Sequence, residues 1–396
     1  MKKSILFMVI NMNVGGTEKA LLNMISEMPR EKFDVTILML EKYGGFLNSI
    51  PDWVQVEYVN GYRDIKRFLN DPPKIVFKDL LKQWKIVKAC MYILLYLISK
   101  VQNNRSIFFN YILRNNPKTS TEYDVAVAYA GPMDFISFFI AVKIRAKKKI
   151  QWIHFDVNKI GFNVKFAEKI YSQFDKIFVV SKEGKEKLNK ILPSLKHKTE
   201  TFYNIVSYKN VIQMAEEGNG FEDNYEGLRI LTVGRLSKEK GQDLTIPVLA
   251  RLKQEGFNVR WYCVGEGNAR SDYEQLIKNY KVEADFILLG SQANPYPFMK
   301  QCDIYVQPSR HEGYCITLAE ARCFNCPIIS TNFTGANEQI LHKHNGLVVE
   351  GDKIQIYEAI KQIIIDQSLR NTIKSNIENE HVITNNDMQK ITQMVI

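Results

Sequence analysis

The chain predicts an α/β protein made of two doubly wound domains facing across a cleft, and three observations carry that expectation. Short apolar, β-branched runs alternate with helical patterns from end to end, the pattern of parallel strands covered by helices. At 396 residues the chain is too long for one ordinary core and suits two. Near the start of each half an apolar run enters a glycine turn and then a helical pattern, at Gly15-Gly16 and at Gly234. Such a turn lets backbone approach a ligand closely.

In the first half the apolar runs predict strands over 4–10, 33–40, 54–59, 125–130, 149–153 and 176–180, with a helix over 18–27. The first of these, I-L-F-M-V-I, is stopped by Asn11. The second half repeats the alternation, with strands over 229–233, 259–264, 286–289, 304–307, 327–330 and 346–349 and helices between them. Residues 207–227 are polar, with Glu216-Glu217-Gly218-Asn219-Gly220 among them, and read as a linker. The expected domains are therefore 1–206 and 228–384, and a helix-like segment over 385–396 follows.

Two motifs in the second half point to chemistry. In S-R-H-E-G-Y-C-I-T-L-A-E, Glu312 sits on a glycine-marked loop and Glu320 eight residues later in a helical pattern. At ~1.5 Å per residue a helical spacing of eight is about 12 Å, near the span of a nucleotide-sugar. Glu312 would then meet sugar hydroxyls, and Glu320 would grip adjacent ribose hydroxyls in bidentate fashion. Upstream, L-R-I-L-T-V-G-R-L leads into Ser237-Lys238-Glu239-Lys240-Gly241. A buried strand, a glycine turn and a helix form the phosphate-binding arrangement of nucleotide folds. Arg235 and Lys240 add two fixed positive charges where a diphosphate would lie.

With both motifs in this order, the chain resembles the family 4 glycosyltransferases, retaining enzymes of the GT-B fold. The resemblance runs through Gly15-Gly16-Thr17-Glu18, Gln151-Trp152-Ile153-His154, Val179-Val180-Ser181-Lys182, Val264-Gly265-Glu266-Gly267 and Pro308 to Glu320. It departs at Asn204-Ile205, where Asn-Gly is usual, and at Gly313-Tyr314, where Gly-Phe is commoner. The resemblance implies an acceptor-binding first domain, rejoined by the terminal helix, and a donor-binding second domain. It implies that Gly15 and Gly16 face the donor phosphates, that His154 makes a polar contact near the reacting sugar, and that Gly313, Tyr314 and Cys315 join Glu320 in holding the donor. Glu18 stays open between helix electrostatics and acceptor binding.

The implied reaction is sugar transfer with retention from a nucleotide diphosphate sugar, UDP-linked, to a lipid-linked saccharide in polysaccharide or glycolipid assembly. Catalytic roles fall on Glu312, His154, Arg235 and Lys240. No D-x-D occurs in the chain, so no metal or cofactor is expected, and leaving-group charge falls to Arg235, Lys240 and backbone N–H groups. A nucleotide-sugar epimerase, or a non-catalytic binding subunit of a membrane complex, remain the alternatives.

Lys2-Lys3 precedes an apolar run too short for a signal sequence, so the expected location is cytoplasmic. The six cysteines show no disulfide framework, and Cys323-Phe324-Asn325-Cys326 lacks the second pair that zinc would need. Residues 63–118 stand apart. Twelve Lys and Arg against three Asp place nine of the chain's formal +10 charges there. Within this stretch A-C-M-Y-I-L-L-Y-L-I-S is flanked by Lys82, Lys85, Lys88 and Lys100. Two readings follow: a buried helix with a solvated lysine face, or docking on the anionic inner face of the plasma membrane through an apolar face that includes Tyr92, Leu95 and Tyr96. No nucleic-acid module accompanies the charge, so nucleic acid is not an expected partner.

Overall fold

The computed structural model describes residues 2–380 and 387–395, and the chain divides into two compact units, Met1–Tyr203 with Asn386–Ile396, and Asn204–Asn385. Each unit is built on one sheet. In the first, β1 (Lys3–Val9), β2 (Phe33–Met39), β3 (Gln55–Tyr58), β4 (Glu122–Ala128), β5 (Arg145–Ile153), β6 (Lys176–Val179) and β7 (Thr199–Thr201) lie in the order 3-2-1-4-5-6-7. In the second, β8 (Leu228–Val233), β9 (Val259–Val264), β10 (Phe286–Gly290), β11 (Ile304–Gln307), β12 (Ile328–Thr331) and β13 (Leu347–Val349) lie in the order 10-9-8-11-12-13. Every pairing between these strands is parallel.

In both sheets the chain starts centrally, steps out to one edge and returns to the other side. The direction therefore reverses between β1 and β4, and again between β8 and β11. Loops leaving the carboxyl ends of such strand pairs diverge and open a crevice, the usual ligand position in open parallel sheets. Gly15 and Gly16 follow β1, Gly234 to Lys240 follow β8, and Ser309 to Cys315 follow β11.

Each unit has its own core, which is why the apolar runs are short and nearly continuous. Phe109 lies centrally in the first, its ring 5.6, 5.5 and 5.8 Å from those of Phe135, Phe138 and Phe166. In the second, Trp261 is fully buried, stacks on Phe286 and donates its indole N–H to Thr232 Oγ1 at 3.1 Å.

The linker stretch and β7 differ from the sequence reading, whereas the terminal helix lies with the first unit as the resemblance implies. The stretch 207–227 is more than a linker. It contains the helix Tyr208–Glu216, which buries Val211 and Ala215 and is tied to the second unit by Asn294 Nδ2 donating to Met214 O at 2.6 Å and by the Lys300–Glu216 pair. Polar composition hid a helix that only its neighbours stabilise. The three-residue β7, T-E-T, carries no apolar signal and exists through its pairing with β6. The terminal helix Asp387–Val395 joins the first unit, where Lys390 Nζ donates to Thr201 O at 2.6 Å and Ile391 is buried near Ile5, Phe7 and Trp152. The predicted positions 385, 386 and 396 lie outside the described residues.

The basic segment forms four helices between β3 and β4: Tyr62–Asn70, Pro73–Lys82, Ile86–Val101 and Ser106–Ile112. Tyr92 belongs to the core, with its ring 5.5 Å from Phe68 and 5.6 Å from Phe108. Leu95 and Tyr96 pack against the same cluster. The apolar face expected to meet lipid is thus the face turned inward, and Leu94 and Leu97 occupy the exposed side. Tyr92→Ala is accordingly expected to destabilise the first unit by about 3–5 kcal/mol, whereas Leu94→Ala should stay within about 0.5 kcal/mol. Equal losses for the two variants in urea unfolding would contradict this placement.

Candidate active site

The loop after β8 and the loop after β11 meet through charge. Lys240 Nζ donates to Glu312 Oε1 at 2.5 Å, and Ser309 Oγ donates to the same oxygen at 2.7 Å. Both ionic side chains are largely withdrawn from water. Burial pulls the Lys240 ammonium toward neutrality, but the Glu312 carboxylate outweighs it and holds the group above the usual lysine range. Behind the pair, Tyr305 OH donates to Gln307 Oε1 and Gln307 Nε2 donates to Ser309 Oγ, each at 2.8 Å. This chain fixes which way Ser309 points, so Glu312 is oriented from two sides.

Arg310 locks the two loops beside this pair. Its guanidinium donates to both oxygens of Asp243 at 2.7 Å and to Lys238 O at 2.7 Å, while its backbone N–H donates to Glu239 O at 2.7 Å. A bidentate guanidinium–carboxylate contact is the most geometrically restrictive ion pair available to a side chain. Gly241, at φ 74°, completes the close approach, since a Cβ there would lie 2.0 Å from Pro308 O. Arg235 is exposed and makes no side-chain hydrogen bond or ion pair among the described residues. Its charge acts on the nearby Glu239 carboxylate, whose pKa it helps to lower, and it stands close in sequence to Lys240, whose partner is Glu312.

Glu320 occupies a different environment from Glu312. It is 3% exposed and accepts a hydrogen bond from Tyr296 OH at 2.8 Å. Burial, reinforced by this carboxylate, pushes the Tyr296 hydroxyl far above the usual tyrosine range, so it remains a donor. The helix carrying Glu320 is only Ile316–Ala321, so the segment from Glu312 is half loop. The 12 Å spacing expected from a continuous helix therefore does not apply. Cys315 precedes that helix at φ 62°, a left-handed conformation that costs a non-glycine residue on the order of 1–3 kcal/mol and clusters at functional sites. Gln339 Nε2 holds it by donating to Tyr314 O and, at 3.4 Å, to Cys315 O. Burial, with the Glu312 charge behind it, pushes the Cys315 thiol up to about 12, which keeps it a neutral thiol. Gly313 and the Tyr314 side chain are buried beside it.

Gly15, Gly16 and His154 belong to the first unit. Gly15 is the extended residue before the helix Gly16–Ser26, and a side chain there would meet Glu18 Oε2 at 2.5 Å. His154 follows β5, stacks on Trp152 and meets the Tyr129 ring edge-on at 4.6 Å. Its Nε2 is buried and has no hydrogen-bond partner among the described residues. A buried imidazole nitrogen left unpaired is costly unless something else meets it. Burial lowers the His154 pKa from 6.5 to about 3.

Ser309, Gln307, Arg310, Asp243 and Tyr296 went unrecognised in the sequence. Both Ser309 and Arg310 stand inside the glutamate motif, but the partners of Arg310 are 67 or more residues away, and the bonds of Ser309 to its near neighbours Gln307 and Glu312 depend on a loop conformation that the string does not encode. The Cys323 and Cys326 thiols are buried, and Cys302 Sγ lies 3.8 Å from Cys326 Sγ. No group of three or more His, Cys, Asp or Glu gathers as a metal site among the described residues.

Residues 218–380, which include all of these second-unit groups, match the family model described as glycosyl transferases group 1. The chain is 31% identical over 208 residues to the N-acetylgalactosamine-N,N'-diacetylbacillosaminyl-diphospho-undecaprenol 4-alpha-N-acetylgalactosaminyltransferase of Campylobacter jejuni, covering 52% of this chain and 55% of that one. It is 32% identical over 171 residues to the capsular polysaccharide biosynthesis glycosyltransferase CapM of Staphylococcus aureus, covering 40% and 44%. These matches span about half the length of the curated relatives. Among solved structures, Anabaena HepE in complex with UDP and glucose superposes with a TM-score of 0.71 at 18% identity, over 99% of this chain and 98% of that one. The fold is GT-B, two parallel Rossmann-like sheets.

The lowered His154 pKa makes folding stability depend on pH. Between about 3 and 6.5 the unfolded chain binds a proton that the folded chain refuses, so this residue's contribution to stability is full above 6.5 and falls by about 1.4 kcal/mol per pH unit below it. The His154 imidazole signals are expected not to titrate from pH 5 to 8 by NMR. A midpoint near 6.5 would show that the ring is solvated.

Proposed function

We propose that this chain is a retaining, metal-independent glycosyltransferase of the family 4 type. It moves a sugar from a nucleotide diphosphate sugar, UDP-linked, to a lipid-linked saccharide in polysaccharide or glycolipid assembly, working at the cytoplasmic face of the plasma membrane. The observation that carries this reading is the Lys240–Glu312 pair at the strand-order reversal of the second sheet, with the exposed Arg235 guanidinium, which makes no side-chain hydrogen bond or ion pair among the described residues, on the same loop.

As the bond from the sugar's anomeric carbon to the phosphate oxygen breaks, negative charge develops on the nucleotide diphosphate. Arg235 and Lys240 stabilise it; Lys240 is already oriented by Glu312 and need not reorganise during the step, whereas the exposed Arg235 guanidinium is ordered by the diphosphate it meets. The acceptor hydroxyl attacks from the face the phosphate leaves, forming the new glycosidic bond and passing its proton to the departing phosphate oxygen. Glu312, fixed by Lys240 and Ser309, accepts hydrogen bonds from sugar hydroxyls. Glu320 accepts from the ribose while Tyr296 holds its other side. Gly15 and Gly16 offer backbone to the donor phosphates, and the unpaired Nε2 of His154 is the group offered to the sugar; at its lowered pKa that ring is neutral. With two cations for the diphosphate and no D-x-D in the chain, the transfer needs no divalent metal. The acceptor class follows the Campylobacter relative, whose name gives a diphospho-undecaprenol-linked sugar.

Losing one charge-assisted contact in a partly desolvated site costs roughly 2–5 kcal/mol, which is about 30-fold to several thousand-fold in rate. Arg235→Ala and Lys240→Ala are expected to lose transfer by that factor, with transfer by the unaltered protein persisting in EDTA. Wild-type turnover in either variant would overturn the assignment, and donor turnover without any acceptor would point to the epimerase. The two glutamates should separate in calorimetry. Glu320→Gln is expected to weaken binding of the free nucleotide diphosphate, whereas Glu312→Gln spares it and damages transfer. Equal loss of nucleotide affinity in both would rule out the division of roles.

A further inference from the structure

The helical hairpin of the first unit carries an exposed surface that the sugar chemistry does not use. On the helix Ile86–Val101, Val87, Met91, Leu94, Leu97 and Val101 are all exposed, Val87 and Val101 by more than 80%. They recur at spacings of three and four, so they form one continuous apolar stripe. The opposite stripe, with Ala89, Tyr92 and Ser99, is buried in the core. A helix that is apolar on both sides but has protein on only one presents the other to something.

What covers it is indicated by charge. The preceding helix, Pro73–Lys82, exposes Lys74, Lys78 and Lys82 at intervals of four, hence on one face, and Asp79 is its single acidic residue. Between the helices Trp84 stands at the turn with φ 57° and 87% of its surface exposed. Basic side chains on one helix, an apolar stripe on the next and an indole at the tip match the layering of an anionic lipid surface, where cations meet headgroups and aromatic rings occupy the boundary. Among the described residues no helix is long and apolar enough to cross a membrane. The 16-residue helix is about 24 Å long against a hydrocarbon core of about 30 Å, which suits a helix lying in the interface.

We propose that Trp84 and the stripe Val87, Met91, Leu94, Leu97 and Val101 insert into the headgroup boundary of an anionic bilayer, with Lys74, Lys78, Lys82 and Lys85 bound to its headgroups. Lys88 is not part of this contact. It is half-buried with its ammonium 5.1 Å from the Phe68 ring, and burial, then Arg114, lowers its pKa. The proposal sharpens the membrane location given above, but its test uses no sugar transfer, so each can fail without the other.

The test is sedimentation of the full chain with vesicles of phosphatidylcholine, with and without phosphatidylglycerol, together with Trp84 fluorescence read against Trp84→Phe. Binding should require phosphatidylglycerol and weaken as salt is raised. Each of Lys74→Gln, Lys78→Gln, Lys82→Gln and Lys85→Gln should weaken it about five-fold, equivalent to about 1 kcal/mol per charge. Leu94→Asn with Leu97→Asn should abolish the blue shift of Trp84 while leaving the unfolding midpoint unchanged, because neither side chain is in the core. Equal binding to neutral vesicles, or none to either, would overturn the proposal. So would a concentration-dependent dimer lost in Leu94→Asn/Leu97→Asn, which would make a second copy of the chain the occupant.

Discussion

The ion pair between Lys240 and Glu312 is the contact on which the second unit's site depends. Withdrawing two opposite charges from water is costly unless they meet at short range with their remaining valences satisfied. Here the carboxylate also accepts from Ser309, and Ser309 is held by Gln307 and Tyr305 behind it. Neither partner can be removed without leaving the other as an uncompensated buried charge, so the pair holds two distant stretches of chain together. The Arg310–Asp243 contact reinforces the same junction with fixed bidentate geometry. The result is a short length of rigid loop on which a cation and a carboxylate are placed before any ligand arrives.

That junction exists because of strand order. A parallel sheet entered at its centre and completed on both sides separates its loops at one position only, and there side chains from two loops can face the same ligand. Both units have this topology and put different chemistry on it. The first places glycine backbone after β1, at the reversal, and a neutral, desolvated imidazole two strands along the sheet, after β5. The second places formal charges after β8 and β11. Strain is kept local. Cys315 adopts a left-handed conformation beside Glu312, with Gln339 bonded to the carbonyls on either side of the turn.

The four helices between β3 and β4 show how one segment can serve a core and a surface together. The helix Ile86–Val101 gives aromatic residues to the interior, where Tyr92 bridges Phe68 and Phe108. Its other side remains aliphatic and uncovered. Composition alone shows an apolar helix with lysines around it, a description that a buried helix and an interfacial helix satisfy equally. Which tyrosines and leucines fall on which side is decided by the neighbours against which the helix packs.

The sequence by itself determined the class of fold, because parallel strands buried on both faces must be short apolar runs and the helices covering them must show their own period. It also determined the pairing of a G-R-x4-K turn with an E-x7-E segment, since these residue types stand in local strings that a reader can see. It did not determine that Lys240 would be bonded to Glu312, 72 positions away, or that Arg310 would reach Asp243. It did not show that the helix before Glu320 would begin only at Ile316, or that 207–227 would contain the helix Tyr208–Glu216. Those outcomes depend on contacts between segments far apart in the chain, whose energies come from burial and from partners that local composition does not encode. Tertiary structure decided them by choosing which charges share a desolvated space and which faces of each helix are covered.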